Sequence, residues 1–475
     1  MAATRLITVH QNKGKSVAKS LSDRTDYAKN GEKIENGQFI SSYACQAESV
    51  DEEFMLSKRE YERLTGRHPR GNIIAYPVAF METDGAKKFL NFNEDGFAGI
   101  AEGGKYYTRD FDGKTAYRVI YRPNMIHPLV AFSTTCVGYA VDFFDTTLGA
   151  PKPLPASDQI WPIKAVFNSL GVIGLLIFMV SFTLVLLDTP VFSALRSGEI
   201  VQPAPVQDSG AKAWYWVLLI IGAVFSGSSF LFCMNTVYSK TTNFFVQTGP
   251  LTIGTWAALC GIFAIFCSAV FYGAYGKKHG WSARRAGLYL NLEQLWKTIA
   301  LAVIVIVVSF GLVFAAHYFF QVDYRMYVVA FKTFGADKVL IALRYLPFFL
   351  LFYVMNSISA NCFNYNTIGG KNGNILIFAF FNALGAIFVV ASQYIYFYAT
   401  GYQLYGLTEG QRIGPIWLFP CMVLLFVTPI MSRIIYKRTR NPYIAGLINA
   451  MFIVMISCSN TTTILGGGEL IATTF

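Results

Sequence analysis

From residue 165 onward, apolar residues run in blocks of about twenty, the length a helix needs to cross a roughly 30 Å hydrocarbon core. The blocks fall at 167–187, 214–235, 251–275, 298–320, 346–365, 374–398, 415–436 and 444–464, which predicts eight spans. The last is broken by the polar run "SCSNTTT" (457–463). Before residue 165 the pattern changes. "VDEEFMLSKREYERLTG" (50–66) sets Phe54, Leu56, Tyr61 and Leu64 among charges and predicts a surface helix stopped by Gly66. "NIIAYPVAF" (72–80) predicts a strand, confined to an edge by Pro77. "KYYTRDFDGKTAYRVIYRP" (105–123) alternates on both sides of Asp112-Gly113 and predicts a hairpin. "STTCVGYAVDFFDTTLG" (133–149) predicts an amphipathic helix with Ser133 as N-cap and Gly149 as stop. A Pro-rich linker follows at 150–162, with Trp161 placed as an interfacial anchor. Among the later connections, 188–212 predicts a flexible exposed loop. "DYRMYVVAFKTFGADKVLIALRYL" (323–346) predicts a partly interfacial amphipathic helix, its charges alternating with apolar residues.

Composition agrees with a membrane chain. Charged residues make up 14% of it, against about 25% in soluble domains, and there are 41 Phe and 27 Tyr. The net charge of +11 is unevenly placed. Residues 1–164 hold 21 basic and 20 acidic residues, and residues 165–475 hold 18 and 8. The excess therefore belongs to membrane loops, not to a nucleic-acid footprint of the polar part. Alternate loops carry twelve and six basic residues, which makes the richer face cytoplasmic and puts residues 1–164 and the C-terminus outside. The start shows no basic stretch followed by an apolar one, so no signal peptide is expected, and the two readings conflict. The eight cysteines form no CxxC pair; buried thiols are expected in place of a disulfide framework or zinc site.

Polar side chains inside spans are costly and are the candidates for function. "MNSISANCFNYN" (355–366) is the richest run, with Asn356, Ser359, Asn361 and Asn364; Asn382 and Asn449 lie in later spans and His317 near the end of another. They would line a polar cavity for a small solute or lipid headgroup, or simply bond helix to helix at under about 1 kcal/mol each. The absence of an intramembrane Asp or Glu favours the second. "FSGSSF" (225–230) offers small residues for close helix packing, and "GKKHGWSARRAG" (276–287) a basic loop that fixes topology.

Two stretches carry resemblances. "MAATRLITVHQNKGKSVAKSLSDRTDYAKNGEKIENGQFISSYACQAESVDEEFMLSKREYERLTGR" resembles the start of relaxase/mobilisation proteins of Gram-positive mobile elements, over residues 1 to about 76. The resemblance makes Tyr27 the nucleophile that would attach to a nicked DNA strand. A phenol of pKa about 10 needs a metal-activated phosphate, and the His cluster that supplies the metal in such enzymes is missing here. Nicking is not expected. "RVIYRPNMIHPLVAFSTTCVGYAVDFFDTTLGAPKPLPASDQIWPIKAVFNSLGVIGLLIFMV" is similar to the last part of a membrane-anchored α/β-hydrolase, over about residue 80 to the C-terminus. It makes His127 the general base after the final strand. The GxSxG nucleophile elbow occurs nowhere in the chain, and no acid among Glu102, Asp110 and Asp112 can be assigned.

The expected fold is a mainly α-helical integral membrane protein of about eight transmembrane helices with a small incomplete α/β N-terminal region. Its parts would be a relaxase-like fragment (1–77), a hydrolase-like fragment (78–150), a linker (151–164) and the membrane domain (165–475). The expected protein is a bacterial multi-pass plasma-membrane protein of chimeric or truncated origin, without a complete hydrolase site. The alternatives are a DNA relaxase using Tyr27 and a transporter or binding protein for a small solute or lipid. The lipid bilayer is the expected partner, DNA is not, the small-molecule substrate is unnamed, and neither cofactor nor metal is implied.

Overall fold

The computed structural model describes residues 62–63 and 77–475, interrupted at 112, 124, 150–151, 153, 207, 327–328, 401–402, 406–407, 465–469 and 472–475, and the backbone of three N-terminal strands. Tyr27 and most of the helix expected at 50–66 lie outside the described residues. The chain divides into two compact units, 1–163 with 391–416, and 164–390 with 417–475.

The first unit holds a five-stranded sheet of order β2-β1-β3-β5-β4. Its strands are β1 (Arg5–Asn12), β2 (Lys15–Leu21), β3 (Ile40–Gln46), β4 (Tyr107–Phe111) and β5 (Lys114–Tyr121). β3 joins β5 in parallel, with Tyr43 opposite Arg118, so one sheet draws strands from both sides of residue 77. The β4–β5 hairpin forms as its alternation predicts: Phe111 faces Lys114, and Gly113 takes the positive φ of 79° that the tight turn demands. The edge strand expected at 72–80 is corrected from Pro77 onward. Pro77–Glu82 is a 3-10 turn leading into helix α1 (Asp84–Leu90), N-capped by the Thr83 hydroxyl at 3.1 Å from the Ala86 N–H. Proline cannot donate to a sheet ladder, but its fixed φ suits the opening of a helical turn. Helix α2 (Thr134–Leu148) forms as expected, with Ser133 accepting from Cys136 N–H and Gly149 ending it at φ 71°. Phe143 of α2 packs on Val119 and Tyr121 of β5.

The eight spans are present as long apolar helices. They are α3 (Trp161–Leu187), α4 (Ser209–Thr236), α5 (Thr248–Phe271), α6 (Leu292–Phe320), α7 (Val339–Ile358), α8 (Gly370–Thr400), α9 (Glu409–Thr439) and α10 (Pro442–Ser459). The chain is a mainly α-helical multi-pass membrane protein. Large apolar side chains such as Phe167, Val185, Val307 and Phe388 stand out from the helices, as lipid-facing residues must. α10 lies innermost, with thirteen of its eighteen residues buried, and packs on α7.

Helices approach closely where glycine permits. A Cβ on Gly261 of α5 would lie 2.7 Å from the Leu351 carbonyl oxygen of α7. Gly227, in the small-residue run at 225–230, would place a Cβ 3.2 Å from the Gly385 oxygen of α8, so that run does serve close packing.

Connections within the second unit sort by end. At one end 188–208, 276–291 and 364–369 meet the α9–α10 turn. Val201 N–H bonds the Lys437 carbonyl, Ala204 pairs with Asn366, Trp281 Nε1 donates to the Cys362 carbonyl, and Tyr443 hydroxyl to that of Leu288. At the other end Arg344 donates to the Phe244 carbonyl, Gln247 to those of Cys458 and Thr461, and Asn460 to that of Ala330. This is the alternation that successive spans require.

Two expectations fail here. The 188–212 connection is not a flexible exposed loop: Phe192, Leu195 and Val201 are buried, and its backbone is hydrogen-bonded to the bundle. Tertiary partners pair its polar backbone groups, which local composition could not reveal. Residues 323–346 do not form an interfacial helix. β6 (Tyr324–Met326) and β7 (Val329–Phe331) make a short hairpin, a 3-10 turn covers Ala336–Lys338, and only then does α7 begin. The β-branched and aromatic residues of β7 are buried, and burial decides over the alternating charges.

Candidate functional site

The end where 188–208, 276–291 and 364–369 gather is built around a buried cation. Arg433 lies in α9, 2% exposed. Its Nε donates to Asn361 Oδ1 at 2.8 Å, one terminal nitrogen to Asn374 Oδ1 at 3.0 Å, and the other to the Ala360 carbonyl. Its guanidinium carbon sits 3.9 Å from the centroid of the Tyr365 ring. Asn361 is held in turn: its amide donates to the Ser357 carbonyl at 2.9 Å and to Ser432 Oγ at 2.8 Å. Ser357 and Ser432 hydroxyls lie 2.6 Å apart. Each neutral partner is thereby oriented toward the guanidinium, which offsets part of the cost of removing the charge from water.

Both spans bordering this region end in π-turns. Tyr272–Gly276 follows α5 and Ser359–Phe363 follows α7. An inserted residue widens the helix there, a local distortion that recurs at functional sites. The two turns meet through Phe271 and Phe363, ring centroids 5.9 Å apart, and Trp281 stacks on Phe363 at 4.6 Å.

Beneath them lies a cavity of about 500 Å³ between α4, α5, α7, α8 and α9. Its inner wall is apolar and aromatic, with Trp256, Phe349, Tyr353, Phe378 and Leu424. Trp256 is fixed by its Nε1 donating to the Ser226 carbonyl at 2.9 Å. Halfway along sit Asn356 and Asn382, bonded to each other at 2.6 Å, with Asn382 also donating to the Leu425 carbonyl at 2.7 Å. The outer rim includes Ser359, Asn364, Asn366, His279 and Arg285. There Asp208 caps α4 at 2.6 Å from Ala211 N–H, accepts the Tyr275 hydroxyl at 3.0 Å and faces His279 Nε2 at 3.3 Å. The Ala211 N–H, then the Tyr275 hydroxyl, hold its carboxyl below the usual carboxylate range.

The structure thus divides the intramembrane polar residues. Asn356, Ser359, Asn364 and Asn382 border the cavity. Asn361 belongs to the Arg433 network behind it. Asn449 donates to the Thr428 carbonyl at 3.3 Å, joining α10 to α9. His317 sits at the end of α6, 3.7 Å from Asp323. Arg433 is not among the polar residues that the sequence singles out; an arginine within the apolar block 415–436 was the available signal.

The residues that the α/β-hydrolase resemblance singles out belong to the first unit. The backbone of His127 opens a 3-10 turn, His127–Phe132, between β5 and α2; its side chain lies outside the description. Glu102 is engaged by Lys105 at 2.7 Å and Asp110 by the Thr115 hydroxyl at 2.6 Å. Nearby, the Tyr106 and Tyr121 hydroxyls both reach Asp142 Oδ2 at 3.0 Å. Burial is the first cause that raises the pKa of both phenols, which keeps them protonated as donors at neutral pH.

No protein-family model, curated protein or solved structure matches the chain.

Proposed function

We propose that the membrane domain is a binding protein or carrier for a small amphipathic molecule, a lipid or lipid-like solute, held in the cavity between α4, α5, α7, α8 and α9. The cavity itself carries the reading. Its volume of about 500 Å³ falls in the range of small-molecule sites, and such sites join apolar walls to a few placed polar groups. Here the polar groups are Asn356 and Asn382 midway and the rim residues above them. A bacterial plasma membrane would be its setting.

A direct test adds bulk inside. Gly222 lines the cavity, and a Cβ there meets no atom within 4 Å, so the side chain of Gly222→Phe starts out into open space. The wild-type protein in nanodiscs is expected to bind tritiated dodecanol saturably, and Gly222→Phe to lose that binding while keeping its melting temperature. Equal saturable binding by both proteins, or saturable binding of neither dodecanol nor dodecanoate by the wild type, would defeat the proposal.

A second reading, kinship with the tail of an α/β-hydrolase, is supported by chain order alone: strand β5, then His127, then helix α2. The missing nucleophile elbow argues that this kinship brings no ester hydrolysis. Hydrolysis of a nitrophenyl ester that disappears in His127→Ala would show the opposite. Relaxase activity rests on Tyr27 and on resemblance only.

A further inference from the structure

The cavity's surroundings bear on the charge of what it holds. Its rim lies at the end of the bundle where the loops and helix ends carry twelve Lys and Arg against Asp188, Glu199, Asp208 and Glu293, a net of +8. Those acids are mostly engaged: Asp188 with Arg196 at 2.6 Å, Glu293 with Lys297 at 2.6 Å, and Asp208 with Tyr275 and His279. Arg285, by contrast, borders the cavity, and its guanidinium has neither ion pair nor hydrogen bond among the described residues.

A second cation acts from behind the wall. Arg433 is buried, its partners are neutral amides, a carbonyl and an aromatic face, and no described carboxylate lies within ion-pair distance. Tyr365, under the guanidinium, and Asn366, which accepts from the Asn374 amide at 3.1 Å, both line the cavity. In low dielectric a positive charge without a counter-ion projects its field into the adjoining space. Away from the rim, no described residue lining the cavity carries a charged side chain, and Trp256, Phe349, Tyr353, Phe378, Leu424 and Ile453 make much of that wall apolar.

Resting on the binding role above, we infer that the ligand is an anionic amphiphile. Its carboxylate or phosphate head meets Arg285 at the rim, within the field of Arg433, and its tail lies on the aromatic inner wall.

The experiment measures binding to the full chain in nanodiscs of zwitterionic lipid, with dodecanoate, dodecyl phosphate, dodecanol and dodecyltrimethylammonium as probes. The two anions should bind at least about tenfold tighter than dodecanol, the gain of one charge-assisted contact. Arg285→Gln should remove most of that preference, leaving the smaller part that the field of Arg433 supplies. Arg284→Gln, beside it but off the cavity, should keep the preference and so separate a local contact from the basic surface as a whole. Anions binding no tighter than the neutral or cationic probe would overturn the inference, as would a preference undiminished in Arg285→Gln. Inorganic phosphate competing as well as dodecyl phosphate would also overturn it, by showing a free-anion site in place of an amphiphile site. In each of those cases saturable dodecanol binding lost in Gly222→Phe leaves the binding role standing, whereas no binding of any chain-bearing probe removes both.

Discussion

Taking away the Arg433 guanidinium would leave Asn361 Oδ1, Asn374 Oδ1 and the Ala360 carbonyl without their donor in the bundle interior. Arg433→Met should therefore cost about 2–4 kcal/mol, because buried acceptors lose charge-assisted bonds. Arg433→Lys should fall between, since an ammonium keeps the charge but lacks the planar fork that serves three acceptors at once. Thermal unfolding in detergent orders the three proteins; a Met variant as stable as the wild type would mean the network holds nothing together. Asn356→Leu removes one bond to Asn382 and should cost only about 1 kcal/mol, the usual worth of an interhelical side-chain bond in a membrane. Asp208 gives a pH dependence. Its folded pKa is depressed, so its capping contribution is complete above the unfolded value and is lost as pH falls through the folded one, below about 4. Asp208→Asn still caps the helix without titrating. Its melting temperature should drop less than that of the wild type between neutral and strongly acidic pH, and parallel curves would contradict this.

Among the elements, those governed by local pattern were visible in the chain. All eight spans follow from apolar length, and α2 from its Ser133 cap and Gly149 stop. The β4–β5 hairpin follows from alternation around Gly113. What stayed hidden depends on partners distant in sequence. The 188–208 segment looks like a loose linker until Lys437, Arg438 and Tyr365 are seen to bond its backbone. The β6–β7 hairpin looks like part of a helix until Val329, Ala330 and Phe331 are seen buried. The site was half visible. The Asn-rich run at 355–366 marked its position, but the split between Asn356, which faces the cavity, and Asn361, which faces Arg433, depends on the π-turn at Ser359–Phe363. Close helix approach is likewise a property of pairs. Gly261→Leu should push α5 from α7, since even a Cβ would lie 2.7 Å from the Leu351 oxygen, at a cost of about 1–3 kcal/mol in thermal stability.

For the whole molecule, charge and cavity run in one direction. The basic end carries the rim, and the cavity extends from there among apolar walls toward the interior of the bundle. A molecule with a polar head would thus enter from the side where the positive charge is concentrated. Cys260 and Cys267 line that cavity, whereas Cys458 is buried in α10 away from it. The decisive measurement is the alkylation rate of each thiol by a small maleimide in nanodiscs, followed by peptide mass spectrometry, with and without dodecanoate. An occupied cavity predicts that dodecanoate slows labelling at Cys260 and Cys267 and leaves Cys458 unchanged; labelling of all three at rates indifferent to dodecanoate would contradict a ligand site between these helices.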